Sequence, residues 1–127
     1  VYVTRSGLNP TSSAPICGVQ KLLLTQNGQT ADFACSSLFN QPQGIAFSSS
    51  TNMFYVVNTG SPTDPTSGTV IRIASDGTVE TTPFLTSTDG LCAPVGAAVV
   101  GNYLYVSNAP DAACNKTKGF ILKVNLS

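Results

Sequence analysis

The chain repeats itself. Val19-Gln20-Lys21-Leu22 returns 51 residues later as Val70-Ile71-Arg72-Ile73, and after 51 more as Ile121-Leu122-Lys123-Val124. Pro42-Gln43-Gly44-Ile45-Ala46-Phe47 returns 52 residues on as Pro94-Val95-Gly96-Ala97-Ala98-Val99. A tyrosine beside valine or leucine recurs at Tyr2, Tyr55 and Tyr105. A period near 50 made of short β-rich segments predicts a modular fold in which each unit relies on its neighbours to cover its apolar face. The expected units, within a single domain 1–127, are roughly 1–34, 42–85 and 94–127, the first and last incomplete.

Within each unit the pattern has the two-residue period of strands, and no segment carries a helical period. Val, Ile, Tyr, Phe and Thr fill short runs bounded by Gly, Pro, Asn and Ser. Asn27-Gly28 and Asp76-Gly77 supply the positive φ of tight turns, as Gly101-Asn102 does before Tyr103, and 48–52 does the same job one unit earlier. Four strands per unit follow. The first comes after Pro-x-Gly (43–48, 95–100) and the second carries the tyrosine (1–5, 53–57, 103–107). The third holds a basic residue between aliphatics (18–24, 69–74, 119–125), and an outer one ends in Phe33 or Phe84. The expectation is ten strands, beginning with a second and ending with a third.

Three stretches, Pro42 to Phe47, Phe54-Tyr55-Val56-Val57-Asn58-Thr59-Gly60 and Val70-Ile71-Arg72-Ile73-Ala74-Ser75-Asp76-Gly77, resemble the NHL-type family of β-propellers. The resemblance runs over essentially the whole chain and is best at 38–84. It implies an all-β fold of antiparallel four-stranded blades in a partial or open propeller. Two departures stand out: Asn58 and Asn108 occupy positions where the family usually has an acidic residue, and the loops 6–17, 59–67 and 109–118 are long. Propellers close with four to eight blades, and about two and a half are written here. Open sheet edges and faces are then expected at both ends. They could be completed by a longer chain or by further copies, or avoided if the repeats stack as a small sandwich. The chain opens in a strand-like segment with no initiator Met and no charged leader region, so it reads as processed or as part of something longer. A head-to-tail contact that does not close generates a filament.

Four cysteines without a Cys-x-x-Cys pair and without any histidine argue against zinc or thiol redox sites. Their even number points to disulfides and an oxidising compartment, with buried reduced cysteines as the competing reading. Blade topology puts Cys17 in a loop and Cys35 in the connection after it. It puts Cys92 in the connection entering the third unit and Cys114 in that unit's loop. The pairing expected from that layout is Cys17–Cys35 and Cys92–Cys114. Two sequons, Asn115-Lys116-Thr117 and Asn125-Leu126-Ser127, are candidate N-glycosylation sites.

Charge is scarce: 9 % of residues, split six against six. That balance argues against nucleic acid, whose binding needs clustered Lys and Arg, and no apolar run is long enough for a membrane-spanning helix. Polar surface comes instead from 29 Ser and Thr. Without histidine a Ser-His-Asp arrangement is impossible, and no catalytic, cofactor-binding or metal residues are assigned. Asp64 and Asp111 sit at matching places in long loops and are thin candidates for calcium. Asn58 and Asn108 read as turn caps. Lys21, Arg72 and Lys123 form a basic row that fits anionic glycan or simple solubility. Together these residues predict a secreted, non-catalytic structural or adhesive scaffold that self-associates, a glycosylated subunit of an extracellular fibre. The alternatives are a fragment of a lactonase-like propeller enzyme, or a propeller face that binds protein or carbohydrate.

Overall fold

The computed structural model describes residues 1–5, 16–23 and 28–127, so most of the expected loop at 6–17, and Asn27 of the first turn, lie outside the described residues. Among the described residues there are nine strands and three single-turn 3-10 segments. The strands are β1 (Tyr2–Thr4), β2 (Ile16–Leu23), β3 (Gln29–Ser36), β4 (Pro42–Ser48), β5 (Met53–Asn58), β6 (Thr69–Ala74), β7 (Pro94–Val100), β8 (Tyr103–Asn108) and β9 (Phe120–Asn125). They form three three-stranded antiparallel sheets in the orders β1-β2-β3, β4-β5-β6 and β7-β8-β9. The described residues do not close into a ring.

The second and third sheets are built alike because their sequences are. Each opens on a proline, which needs no partner for the N–H it lacks when it stands first in a strand. A register shift follows at once, between Pro42 and Gly44 and again between Pro94 and Gly96. The residues before these prolines, Gln41 and Ala93, both take positive φ (55° and 43°). Their carbonyls accept the N–H of Thr59 and Ala109, so the same clasp closes both sheets. The turn after β6 needs Gly77, whose φ is 96°.

The expected tenth strand, ending at Phe84, is not a regular strand. Glu80 N donates to Arg72 O, while Phe84 N and Leu85 N both donate to Val70 O. Residues 80–84 thus cover only the stretch 70–72 of β6, and Pro83 in their midst has no N–H to continue a ladder. What remains is two isolated bridges, Val79 to Ile73 and Leu85 to Val70.

Alternate residues of a strand point to opposite faces, and the second sheet uses both faces. Phe54, Val56, Ile71 and Ile73 pack with Val19 and Ala34 of the first sheet and with Phe39 of the connection that follows it. Tyr55, Val57 and Val70 pack on the other side with Leu104 and Val106 of the third sheet. Among the described residues the central sheet is therefore covered twice, and each outer sheet once. Close approach at the second contact depends on Gly44, where an added Cβ would stand 2.8 Å from the Gly96 Cα. Across the first contact, Thr4 Oγ1 donates to Gln43 O at 2.7 Å.

Candidate functional site: the uncovered face of the third sheet

Register places three rungs on the face of the third sheet turned away from the core: Gly96–Ser107–Ile121, Ala98–Tyr105–Lys123 and Val100–Tyr103–Asn125. The alternate residues Leu122 and Val124 pack inward with Leu104 and Val106. The corresponding rungs of the second sheet are Gly44–Val57–Val70, Ala46–Tyr55–Arg72 and Ser48–Met53–Ala74. That face is the one the third sheet covers. The uncovered face is the repeat equivalent of that buried one: Gly96, Ala98 and Tyr105 are kept, Ile121 and Lys123 replace Val70 and Arg72, and Ser107, Tyr103 and Asn125 stand where Val57, Met53 and Ala74 do.

Burial shows the consequence. Val19 and Val70 are both 0 % exposed, whereas Ile121, their counterpart one repeat later, is 61 % exposed. Tyr55 is buried, with its hydroxyl 3.1 Å from Thr51 Oγ1, while Tyr105 is half-buried and Tyr103 and Val100 are exposed. A shallow depression of about 300 Å³ runs over the glycine end of the face, lined by Gly96, Ala98, Tyr105, Ser107 and Ile121. The basic row falls on equivalent faces of the three sheets, each cation against aromatic rings. Lys21 lies 6.0 Å from the Tyr2 ring, Arg72 lies 4.6 Å from Phe84, and Lys123 lies 4.0 Å from Tyr103 and 5.8 Å from Tyr105. Arg72 also pairs with Glu80 at 2.8 Å. On the uncovered face Lys123 is the cation.

At the other end of the molecule, the outward face of the first sheet carries the rung Val3–Gln20–Asp32. Val1 and Val3 are exposed there, and Gln20 Nε2 donates to Asp32 Oδ1 at 3.0 Å. The counterparts of Val3 in the next two repeats, Val56 and Val106, are fully buried. The two open faces thus differ in kind. One presents Tyr105, Ile121 and a lysine, the other two valines and a carboxylate.

The remaining candidate residues lie elsewhere and are occupied locally. Asn58 is buried: its Oδ1 accepts from Asn40 N, and its Nδ2 donates to Leu38 O and Thr69 Oγ1. Asn108 accepts from Cys92 N and donates to Val106 O. Each side chain ties the connection entering its own sheet to the end of that sheet's second strand. Asp64 and Asp111 cap 3-10 turns, accepting from Thr66 N and Ala113 N. Hydrogen bonds from the Thr66 hydroxyl and amide hold the Asp64 carboxyl below its ordinary range, and the Thr78 amide does the same for Asp76. Asp89 closes a capping box with Thr86.

Disulfides join Cys17 to Cys35 and Cys92 to Cys114. Among the described residues, metal-capable side chains converge at Cys17, Asp32 and Cys35. Both sulfurs there are committed to the disulfide, which leaves no thiolate to act as a ligand. Two disulfides fit an oxidising compartment, and no helix among the described residues is long and apolar enough to cross a membrane. Asn115 and Asn125 are both exposed.

The sequence marked the tyrosines and the basic row separately, and register brings Tyr105 and Lys123 onto one rung. Residue type alone does not single out Ile121. Its signal was available, because the repeat aligns it with Val19 and Val70 in a row that two earlier units bury. No protein-family model, curated protein or solved structure matches the chain.

Proposed function

We propose that the protein is a non-catalytic structural subunit, secreted into an oxidising extracellular setting, that stacks head to tail on further copies of itself. The carrying observation is Ile121, 61 % exposed at a repeat position that is fully buried in both preceding repeats. The surface that covers this position inside the chain is the apolar face of the next sheet, Phe54, Val56, Ile71 and Ile73 over Val19, and Leu104 and Val106 over Val70. Among the described residues the repeat-equivalent face of the first sheet is open, with Val1 and Val3 exposed and Gln20 standing where the second and third sheets have Ile71 and Leu122. The occupant that fits is therefore the first sheet of a second copy. Charge permits that choice: the third sheet offers Lys123, and the first offers Asp32 on the edge strand β3, away from the exposed Arg5 that follows β1. A contact between unlike faces propagates and builds an array instead of stopping at a dimer. The four-stranded, propeller-like completion expected from the repeat belongs to the same reading, each copy extending the row of sheets begun by the last.

Sedimentation velocity across a wide concentration range tests this. The expected result is a series of growing species that collapses to monomer in Ile121→Arg, with the melting temperature of the monomer kept because residue 121 faces outward. A chain free of sugar that stays monomeric at every concentration overturns the reading.

A further inference from the structure

Resting on the stacking reading, we infer that Asn125 is a glycan acceptor that acts as a stop for assembly, whereas the second sequon, at Asn115, is neutral to it. Asn125 ends β9 on the third rung of the uncovered face, opposite Tyr103. Its side chain is exposed and shares that face with Ile121 and Lys123. The matching rung of the second sheet is Met53–Ala74, and Met53 packs into the core between the second and third sheets. The rung that carries Asn125 is therefore one that a stacked neighbour has to approach.

The acceptor is arranged for modification. Asn125 Oδ1 takes hydrogen bonds from Ser127 N at 3.0 Å and from Ser127 Oγ at 2.6 Å. Both acceptor directions of the carbonyl are thus engaged by the sequon's own serine, and Nδ2 is left facing solvent without a partner among the described residues. Transfer from a polyprenyl-pyrophosphate-linked oligosaccharide would break the sugar's C1–O bond and form Nδ2–C1. One amide proton is lost and the polyprenyl pyrophosphate leaves. The attached sugar then stands on the face itself, bulky and hydrated, where a sheet would have to pack.

Asn115 is placed differently. It follows the 3-10 turn Ala112–Cys114 with φ 57°, in the loop at the far end of β9. The disulfide from Cys114 to Cys92 ties that loop toward the second sheet, and its 3-10 turn packs against the one at Pro65–Ser67. A glycan on Asn115 projects from the side of the molecule and leaves the three rungs open.

The test is expression of the full chain in a host that performs N-glycosylation, as wild type, Asn125→Gln, Ser127→Ala and Asn115→Gln. Peptide mass mapping reads occupancy at each sequon, and sedimentation reads association of the same preparations. Chains carrying sugar at Asn125 should need about tenfold or more higher concentration to associate than Asn125→Gln or Ser127→Ala. Asn115→Gln should match wild type. An unoccupied Asn125, or occupied chains that associate as readily as Asn125→Gln, overturns the inference while the stacking reading survives. If Asn125→Gln and Ser127→Ala both stay monomeric at every concentration, the stacking reading falls and this inference falls with it.

Discussion

Asn58 has two N–H bonds and one carbonyl to satisfy in a place water does not reach, and all three find partners. The amide cannot be exchanged for a carboxylate there, because Nδ2 must donate to the Leu38 carbonyl. A carboxylate would set oxygen against oxygen and leave a charge buried. This gives a physical reason for asparagine, and not an acid, at this position. Asn58→Ala would strand the Asn40 N–H and the Leu38 carbonyl and should cost about 2–3 kcal/mol. Asn58→Asp should cost at least as much at neutral pH. Urea unfolding monitored by tyrosine fluorescence checks both, with an unchanged m-value expected if only stability moves. From the sequence, Asn58 was legible as a polar residue ending a strand and bound to cap something. Its partners were not, because they lie 18 and 20 residues upstream, and only the folded path of 38–41 brings them near.

At the scale of elements, the contact between β4 and β7 turns on a glycine pair that is not symmetric. An added Cβ at Gly44 would meet Gly96 Cα at 2.8 Å and the Ala97 N and Val95 O atoms at 3.0 Å, all backbone. Added at Gly96, it would meet only the Ser107 hydroxyl, at 3.1 Å. Gly44→Ala must push two sheets apart and should cost about 2–3 kcal/mol, whereas Gly96→Ala should cost about 1 kcal/mol or less. Melting of the two variants side by side checks the order, and equal losses would contradict it. The strands that repeat most closely in sequence, β4–β6 and β7–β9, were readable with their turns because alternation, Pro-x-Gly and the turn residues agree with one another. The segment through Phe84 was not. Its apolar residues suit a strand, but Thr81-Thr82-Pro83 interrupts the hydrogen bonding, and side-chain pattern carries no information on backbone register.

The whole molecule has direction, since its two open faces are unlike, and direction can be tested apart from affinity. An isologous contact would pair third sheet with third sheet and stop at two copies, whereas the proposed contact pairs third with first and continues. Consider two variants, Ile121→Arg, disabled on the third sheet, and Val3→Arg, disabled on the first. Each alone has one sound face and no sound partner for it, so each should remain monomeric. Mixed in equal amounts, the sound third sheet of the Val3→Arg chain meets the sound first sheet of the Ile121→Arg chain. The product is a dimer that cannot grow, because the outer faces of that pair both carry arginine. Sedimentation of the mixture should show a species of twice the monomer mass and nothing larger. It should weaken as salt is raised, because the one Lys123–Asp32 pairing it contains is exposed at its rim. If the contact were isologous through the third sheet, Val3→Arg alone would already dimerise and mixing would add nothing. The faces that decide between these outcomes were present in the sequence as rows of repeat-equivalent residues. What the sequence withheld was which row each sheet turns outward, and only the order of the three sheets supplies that.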